Sequence, residues 1–471
     1  MFLLKADIIV IGIFLVYGFQ NNLGTLVVTK NTRMQILFFS DFKSNRLTYI
    51  VKHIFKNMLG FDVSFTQNPN DFTSFHGLKV CYSHSKFTEC IYITPHELLF
   101  DGEIHKQSFE VLRWQNMPVF FLTNRNADIP FDIFAASFYL ISRYEEYLQF
   151  EPDEHGRFKA EDSLAFKEEF LTIPLVDLWV KELSKIIESK YQMAKPNSAS
   201  FCFIPTIDID NAFAYKHKGF RRFLLSTGKS ICNLRFGEAI RRLLVNLHAL
   251  PDPFDTYSSI FHLFRNIPQA KFFVLGGKLS KFDRHVSMHN SSMRTLLKQI
   301  AEKYEVGIHP SYGSGTSMEK VRSELNALQE VLAKEVSISR QHFLKIAIPQ
   351  TYKLLYSLGI QTDYSMGYSN AIGFRASTCT PFRFYDLVDE KELPLKLVPF
   401  QVMDRALLQG LGLSANEAVS QTLSMAQKVK EVNGTFSLVW HNESLSGINE
   451  WKGWEQVLDR IVAGTGELST T

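Results

Sequence analysis

Apolar and polar positions follow two rhythms, one before and one after the polar stretch YQMAKPNSAS at 191–200. Ahead of it, MQILFFSD from Met34 is a short apolar run that predicts a strand. RLTYIVKHIFKNMLG follows, with Leu47, Ile50, Val51, Ile54, Phe55 and Met58 at helical spacing and Gly60 as a stop. FDVSF and PVFFL read as further short strands. FDIFAASFYLISRYEEYLQF predicts one long apolar helix whose stripe is core, with Glu145 and Glu146 as a solvated tip. Residues 34–195 are therefore expected to form a smaller mixed α/β domain.

Beyond the boundary, apolar strand-like runs recur at 201–209, 271–275, 305–309, 336–341, 360–366, 395–400 and 435–441. Helical patterns fall between most of them. One carries Met293, Leu296, Leu297, Ile300, Ala301 and Tyr304 on one face, and the next carries Val321, Leu325, Leu328 and Leu332. Thr316 with Glu319, and Ser414 with Glu417, stand three apart as capping boxes. Strands alternating with helices predict a mostly parallel sheet. Seven of them suit a TIM-like (β/α) barrel one unit short, over residues 200–465. A doubly wound open sheet is the other architecture with this alternation.

In both architectures the functional face lies at the carboxyl ends of the strands, and polar residues collect there. The apolar run FCFIPTIDID ends in Asp208 and Asp210. They are two apart, so both side chains leave the strand on one face. Two like charges beside a core are costly unless a metal, a catalytic site or a basic partner offsets them. His309 ends the third strand, Arg340 the fourth with His342 following, Asp363 lies in the fifth, and His441 ends the seventh. Singly, a strand-end Asp is more often a cap, a His more often a core residue, and Arg340 an ion pair. Together at five strand ends they point to one site. A carboxylate with one or more imidazoles can hold a divalent ion. The second carboxylate can serve as a general base, kept ionised and oriented by an arginine.

Composition narrows the classes. The 471 residues are 45% hydrophobic and 21% charged, which is globular. A net charge of +3, not blocked into tails, gives no basis for nucleic-acid binding. There is no Walker A loop and no GxGxxG followed by an acidic residue, so nucleotide use has no support. The five cysteines, with no CxxC, fit a reducing compartment and a cytoplasmic chain. The apolar residues 8–19 follow Asp7 and are short for a spanning helix. Residues 1–33 are read as an apolar leader or as sequence ahead of a true start near Met34. A periplasmic or membrane-anchored chain is the secondary expectation, and membrane association is not expected.

The motifs carry a resemblance. Residues from about 200 to 465 resemble the polysaccharide deacetylase family, the NodB homology domain of family 4 carbohydrate esterases. TIDID stands in the place of its T-F-D-D-G motif, and AKFFVLG resembles its second strand. EVGIHPSYG stands where the family has its E-I-G-x-H-[ST]-x-x-H motif, SRQHF where it has R-x-P-Y, and LVWH resembles the closing L-x-H. With the upstream half, the series resembles a bacterial subgroup that pairs this domain with one of unknown function. The resemblance implies hydrolysis of an N-acetyl amide or O-acetyl ester on a carbohydrate or glycan, with a divalent metal, zinc first. It implies Asp208 as catalytic base, Arg340 as its tether and His441 as general acid. It implies Asp210 and His309 as metal ligands. The family's second metal histidine falls on Gly313. His342, His441 or His289 could complete the shell, the metal could be held weakly with more water, or the domain could be an inactive glycan-binding or scaffold module. An amidase on a non-sugar amide would share the same site.

Other features bear on substrate. Tyr312, Arg375 and Trp440 are the candidate substrate contacts, with Arg375 in GFRASTCTPFRFYD (373–386), read as a loop over the site. Residues 211–268 are a long insertion that contains the basic amphipathic FGEAIRRLLVNLHAL and could roof the mouth. Trp451 and Trp454 suit sugar stacking or helix packing equally. Asn442 and Glu443 could orient His441.

Overall fold

The computed structural model describes residues 34–192 and 200–470. The leader reading of residues 1–33 lies outside the described residues. From Met34 onward the chain is one compact unit.

Short apolar runs separated by turn residues build a first, parallel sheet. Its strands are β1 (Gln35–Ser40), β2 (Asp62–Thr66), β3 (Leu78–Tyr82) and β4 (Ile91–Ile93), in the order β2-β1-β3-β4. Helix α1 (Asn45–Lys52) starts at Ser44, whose side chain accepts from the Leu47 N–H, and continues as a wider π turn through Met58. Helix α2 (Ile133–Ile141) is buried on all sides. It is shorter than the apolar pattern predicts, because Arg143 takes a left-handed conformation (φ 57°) and a 3₁₀ turn follows. Helix α3 (Leu175–Tyr191) closes this half.

The turn after α2 corrects the solvated-tip expectation. Glu146 is buried, 2.7 Å from Arg143 Nε and 2.6 Å from Arg375 Nη2. Glu145 pairs with Arg143 at 2.8 Å. The backbone kink at Arg143 turns both acids inward, where burial without these arginines would be prohibitive.

The second sheet has nine strands where seven were expected. They are β5 (Cys202–Ile209), β6 (Lys271–Leu275), β7 (Glu305–His309), β8 (Ile338–Ser339), β9 (Thr362–Asp363), β10 (Phe382–Asp386), β11 (Lys391–Leu397), β12 (Val402–Met403) and β13 (Thr435–His441). The order is β10-β11-β9-β8-β7-β6-β5-β13-β12. Every pairing is parallel except β10 with β11. Strand β10 corrects the end of the supposed 373–386 loop: Phe382 and Phe384 are buried and Arg383 exposed, the alternation of an edge strand. A ladder closing this sheet into a barrel is not present among the described residues. The edge strand β12 and β11, which only the antiparallel β10 flanks at the other margin, are nevertheless consecutive pieces of one segment. Between them, the Phe400 N–H donates to Met366 O (3.1 Å) and the Gln401 N–H to Ser437 O (3.0 Å). Ile204 of β5, Phe273 of β6, Ile338 of β8 and Val398 just past β11 meet in one apolar cluster, so the sheet curves around its inner face.

Helices α4 (Phe220–Cys232) and α5 (Phe236–Asn246) occupy the insertion. Helices α6 (Ser291–Ala301) and α7 (Met318–Leu332) bury the faces read from their periodicity, and α8 (Ala415–Glu431) buries Ala418, Val419, Thr422, Met425, Ala426 and Val429. Ser414 and Glu417 form the capping box at α8, whereas α7 begins at Ser317 without a side-chain cap, so the Thr316 box is not made.

The two sheets share one core, which includes Phe38, Ile50 and Phe134 as well as Phe382, Leu395 and Phe436. Arg46 of α1 is buried and pairs with Glu390 in the β10–β11 hairpin at 2.5 Å. Asp177 of α3 accepts from the Cys379 N–H (3.0 Å) and the Thr380 hydroxyl (2.6 Å).

The Glu146 triad gives a stability test. Burial opposes ionisation of Glu146, but Arg375 and Arg143 prevail and hold it at about 2. Its stabilisation is present above the unfolded carboxyl pKa and is lost as pH falls towards 2. Glu146→Gln is expected to cost roughly 3–5 kcal/mol at pH 7 in urea unfolding. That deficit should shrink as pH falls below about 4.3.

Candidate metal and catalytic site

The parallel register sets the site. Asp208 lies opposite His441 across β5 and β13, and Leu275 lies opposite His309 across β6 and β7. These strands therefore end at one rim. Asp208, Asp210, His309, His342 and His441 line a single cavity of about 610 Å³ there.

Three of these groups converge. Asp210, His309 and His342 offer ligand atoms all within 4.8 Å of one another. His309 Nε2 is 3.2 Å from Asp210 Oδ1, and His342 Nε2 is 3.4 Å from Asp210 Oδ2. Each imidazole is oriented from behind. His309 Nδ1 lies 2.6 Å from the Arg340 carbonyl oxygen, which can only accept, so Nδ1 carries the proton and the Nε2 lone pair faces the cavity. His342 Nδ1 lies 3.0 Å from Asp283 Oδ1. A carboxylate and two imidazoles, each imidazole held by an oxygen on its far nitrogen, is a donor set that fits a divalent cation such as zinc. Of the three histidines that could replace the one missing at Gly313, His342 is the one that lies in the cluster. His289 is exposed and away from the cluster.

Asp208 sits beside this triad, 3% exposed. Its Oδ1 is 3.5 Å from Arg340 Nη1 and its Oδ2 is 3.8 Å from His309 Nε2. Arg340 is fully buried, with its guanidinium 4.8 Å from the Phe273 ring centre and 5.4 Å from that of Phe400. Gly307 makes room for this packing: a Cβ there would lie 2.6 Å from the Phe273 ring. Asp363 is a layer deeper, accepting from the Ser339 hydroxyl (2.7 Å) and the Ser365 N–H (2.9 Å).

His441 faces Asp210 from the other side, Nε2 to Oδ2 3.7 Å. Its Nδ1 is 2.8 Å from Asp404, which also accepts from the His441 N–H at 2.8 Å and from Ser444. Burial works against protonation of His441, but Asp404 and Asp210 raise it to about 9. His342 likewise rises to about 9, with Asp210 and Asp283 overcoming burial. Desolvation opposes ionisation of the half-buried Asp210, but His342, His309 and His441 hold it well below the usual carboxylate range.

Other expected contacts go elsewhere. Arg375 is not free for substrate: Nε and Nη2 bind Glu146 and Nη1 donates to Gly367 O (3.1 Å). Trp440 alternates with His441 on β13 and is fully buried, outside the cavity lining. Tyr312 stands one layer back, its hydroxyl 3.1 Å from His155 Nδ1 and its ring 4.2 Å from Phe282; His155 and Phe282 line the cavity in its stead. Trp451 and Trp454 are buried and pack edge to face, so they serve packing. Asn442 donates to Asn211 O and Phe254 O, and Glu443 pairs with Arg405. Sequence reasoning missed Asp404 and Asp283. Asp404 directly follows β12 and obeys the same strand-end rule. Asp283 sits in a loop with no periodic signal. It also missed His155 and Arg157, which reach the cavity from the N-terminal half.

Comparison with known proteins adds the following. The sequence model of a family of unknown function (DUF7033) matches residues 36–192. No curated protein matches the chain. Solved structures similar to this chain include a putative polysaccharide deacetylase from Mycobacterium smegmatis, 15% identical, covering 59% of this chain and 92% of its own, with a TM-score of 0.37. A probable polysaccharide deacetylase from Pseudomonas aeruginosa PAO1 is 12% identical and covers 56% and 84%, with a TM-score of 0.33. A polysaccharide deacetylase from Bacillus cereus is 11% identical and covers 56% and 87%, with a TM-score of 0.26. Likenesses this distant assign no role to any residue of the site.

The geometry sets an expectation for metal binding. Purified protein incubated with zinc should hold one ion per chain, and His342→Ala should lose it. Asp283→Asn should weaken affinity roughly 10–100-fold, as removal of an orienting carboxylate does. His289→Ala should bind as the wild type. Elemental analysis and calorimetry read all three.

Proposed function

We propose that the chain is a metal-dependent hydrolase that removes an acetyl group from an acetylated sugar or glycan, at an amide or ester bond. The observation that carries this reading is the placement of three units around one cavity. These are the Asp208–Arg340 pair, the Asp210–His309–His342 cluster and the His441–Asp404 pair. The order and spacing of the deacetylase-like motifs support the same reading. Counting 391–403 as one strand, and leaving the antiparallel β10 outside, would make the curved sheet a seven-stranded barrel of that family's type.

Asp210, His309 and His342 would hold the divalent ion. When bound, the ion supplies Lewis acidity toward the acyl oxygen and the attacking water. Asp208 takes the proton of that water as it attacks. Arg340 aligns Asp208, and its own immobilisation between two aromatic rings fixes that geometry. His441, held protonated by Asp404, donates its Nε2 proton to the departing nitrogen or oxygen. The five free thiols support a reducing, cytoplasmic location.

Asp208→Asn should abolish acetate release from acetylated sugars while leaving metal content as in the wild type and the chain folded, with an unfolding midpoint lowered by the loss of Arg340's partner. An active Asp208→Asn enzyme would refute the assignment. His441 must be protonated to act, so kcat should fall as pH rises through about 9. Asp404→Asn removes the main group that raises His441 and should move that limb to lower pH.

A further inference from the structure

Beside the catalytic cavity lies a second, smaller one of about 200 Å³, and the two share Asn211 and Arg284. Four cationic side chains line it, Lys218, Arg222, Arg242 and Arg284, with no carboxylate among the lining residues. Arg222 comes from α4 and Arg242 from α5. Arg242 is 8% exposed and anchored: Nη2 donates to Glu238 (2.6 Å) and its guanidinium lies 5.2 Å from the Tyr215 ring centre. Its Nη1 is buried without a hydrogen-bond partner. A buried guanidinium N–H left unpaired is costly, and the cost is removed when an acceptor arrives. The cations also oppose one another. Burial and Arg222 pull Lys218 down to about 7, and burial and Arg284 lower Arg222.

We propose that this pocket is an oxyanion subsite that takes a phosphate or carboxylate group carried by the substrate of the neighbouring hydrolytic site. The assignment deepens the deacetylase reading and rests on it only for the word substrate. The shared wall of Asn211 and Arg284 places the anion beside the cavity that would hold the reacting acyl group.

The first test is binding by the full chain. Protein treated with EDTA is titrated with inorganic phosphate and, separately, with glucuronate in a calorimeter. Binding is expected in the wild type and in His342→Ala. It should weaken roughly tenfold in Arg242→Gln and in the double variant Lys218→Met/Arg222→Gln, the loss of one charge-assisted contact or more. The double variant changes half-exposed side chains, so it stands in if Arg242→Gln fails to fold. Which of the two probes binds tells phosphate from carboxylate. No binding, or binding that survives the double variant and disappears in His342→Ala, overturns the proposal. The second test compares N-acetylhexosamine 1-phosphate with the neutral sugar. The phosphate is expected to raise kcat/KM roughly tenfold in the wild type but not in the double variant, with the neutral sugar unchanged. If neither sugar is hydrolysed the deacetylase reading fails, while calorimetry still decides the subsite.

A separate observation concerns the outside of the same insertion. Helices α4 and α5 and the turns around them expose Phe220, Leu225, Leu234, Phe236, Ile240 and Leu247, with Leu225 and Leu234 at 77%. Arg221, Lys229, Arg235 and Arg241 are exposed among them. Between residues 211 and 250 the one acidic residue is Glu238, already paired with Arg242. Exposed apolar side chains interleaved with unneutralised cations match an anionic lipid surface. We infer that this hairpin docks on an anionic bilayer, which departs from the sequence-based expectation of no membrane association. Cosedimentation with phosphatidylglycerol vesicles is expected, weakening with salt, absent with pure phosphatidylcholine, and abolished by Leu225→Glu/Leu234→Glu. No cosedimentation overturns the inference. So does concentration-dependent self-association that the same double variant removes, since that gives the face to a second copy of the chain.

Discussion

Asp208 and Asp210 leave the end of one buried strand on the same side, and their charges must be met locally. Arg340 answers the first and the His309–His342 pair answers the second. Each of those partners needs its own support. Phe273 and Phe400 flank the guanidinium, the Arg340 carbonyl orients His309, and Asp283 orients His342. Arg340 thus serves both carboxylates at once, one through its side chain and one through its backbone. Register explains why this is possible: parallel pairing brings strand ends to a common level without any long-range adjustment.

On the proposed reading the arrangement separates three tasks that would interfere if merged. The candidate cation cluster is centred on Asp210. Asp208, the proposed base, is tied to Arg340. His441, the proposed proton donor, is tied to a different carboxylate, Asp404, at a different strand end. The carboxylates beside His441 and His342 favour the protonated imidazoles, whereas an imidazole that meets a cation gives up that proton on binding.

The N-terminal half takes part in this through burial and through reach. Arg143, Glu146 and Arg375 lock the turn after α2 against the segment that follows β9. Arg46 does the same at the β10–β11 hairpin. His155 and Arg157 then extend into the cavity from beyond that turn, with Arg157 Nη1 donating to Phe343 O at 2.8 Å. The cavity wall is therefore made by both halves of the chain, and a fixed contact between them is a condition of its shape.

Local pattern alone determined much of this protein. Apolar runs of strand length, helical periodicity and the rule that function gathers at carboxyl strand ends were enough to select Asp208, Asp210, His309, Arg340 and His441. Those signals are local because strand polarity and side-chain alternation are local. What lay outside them was decided by tertiary packing. Glu146 reads as a surface acid until the kink at Arg143 turns it toward two arginines. Arg375 reads as a free cation until Glu146 is placed against it. The third member of the cluster was undecidable among three histidines, because the distance between chain-remote side chains depends on how the strands order themselves in the sheet. Placing β8 beside β7 brings His342 to His309 and leaves His289 outside. Sequence specifies which residues stand at strand ends; only the order of the strands specifies which ends meet.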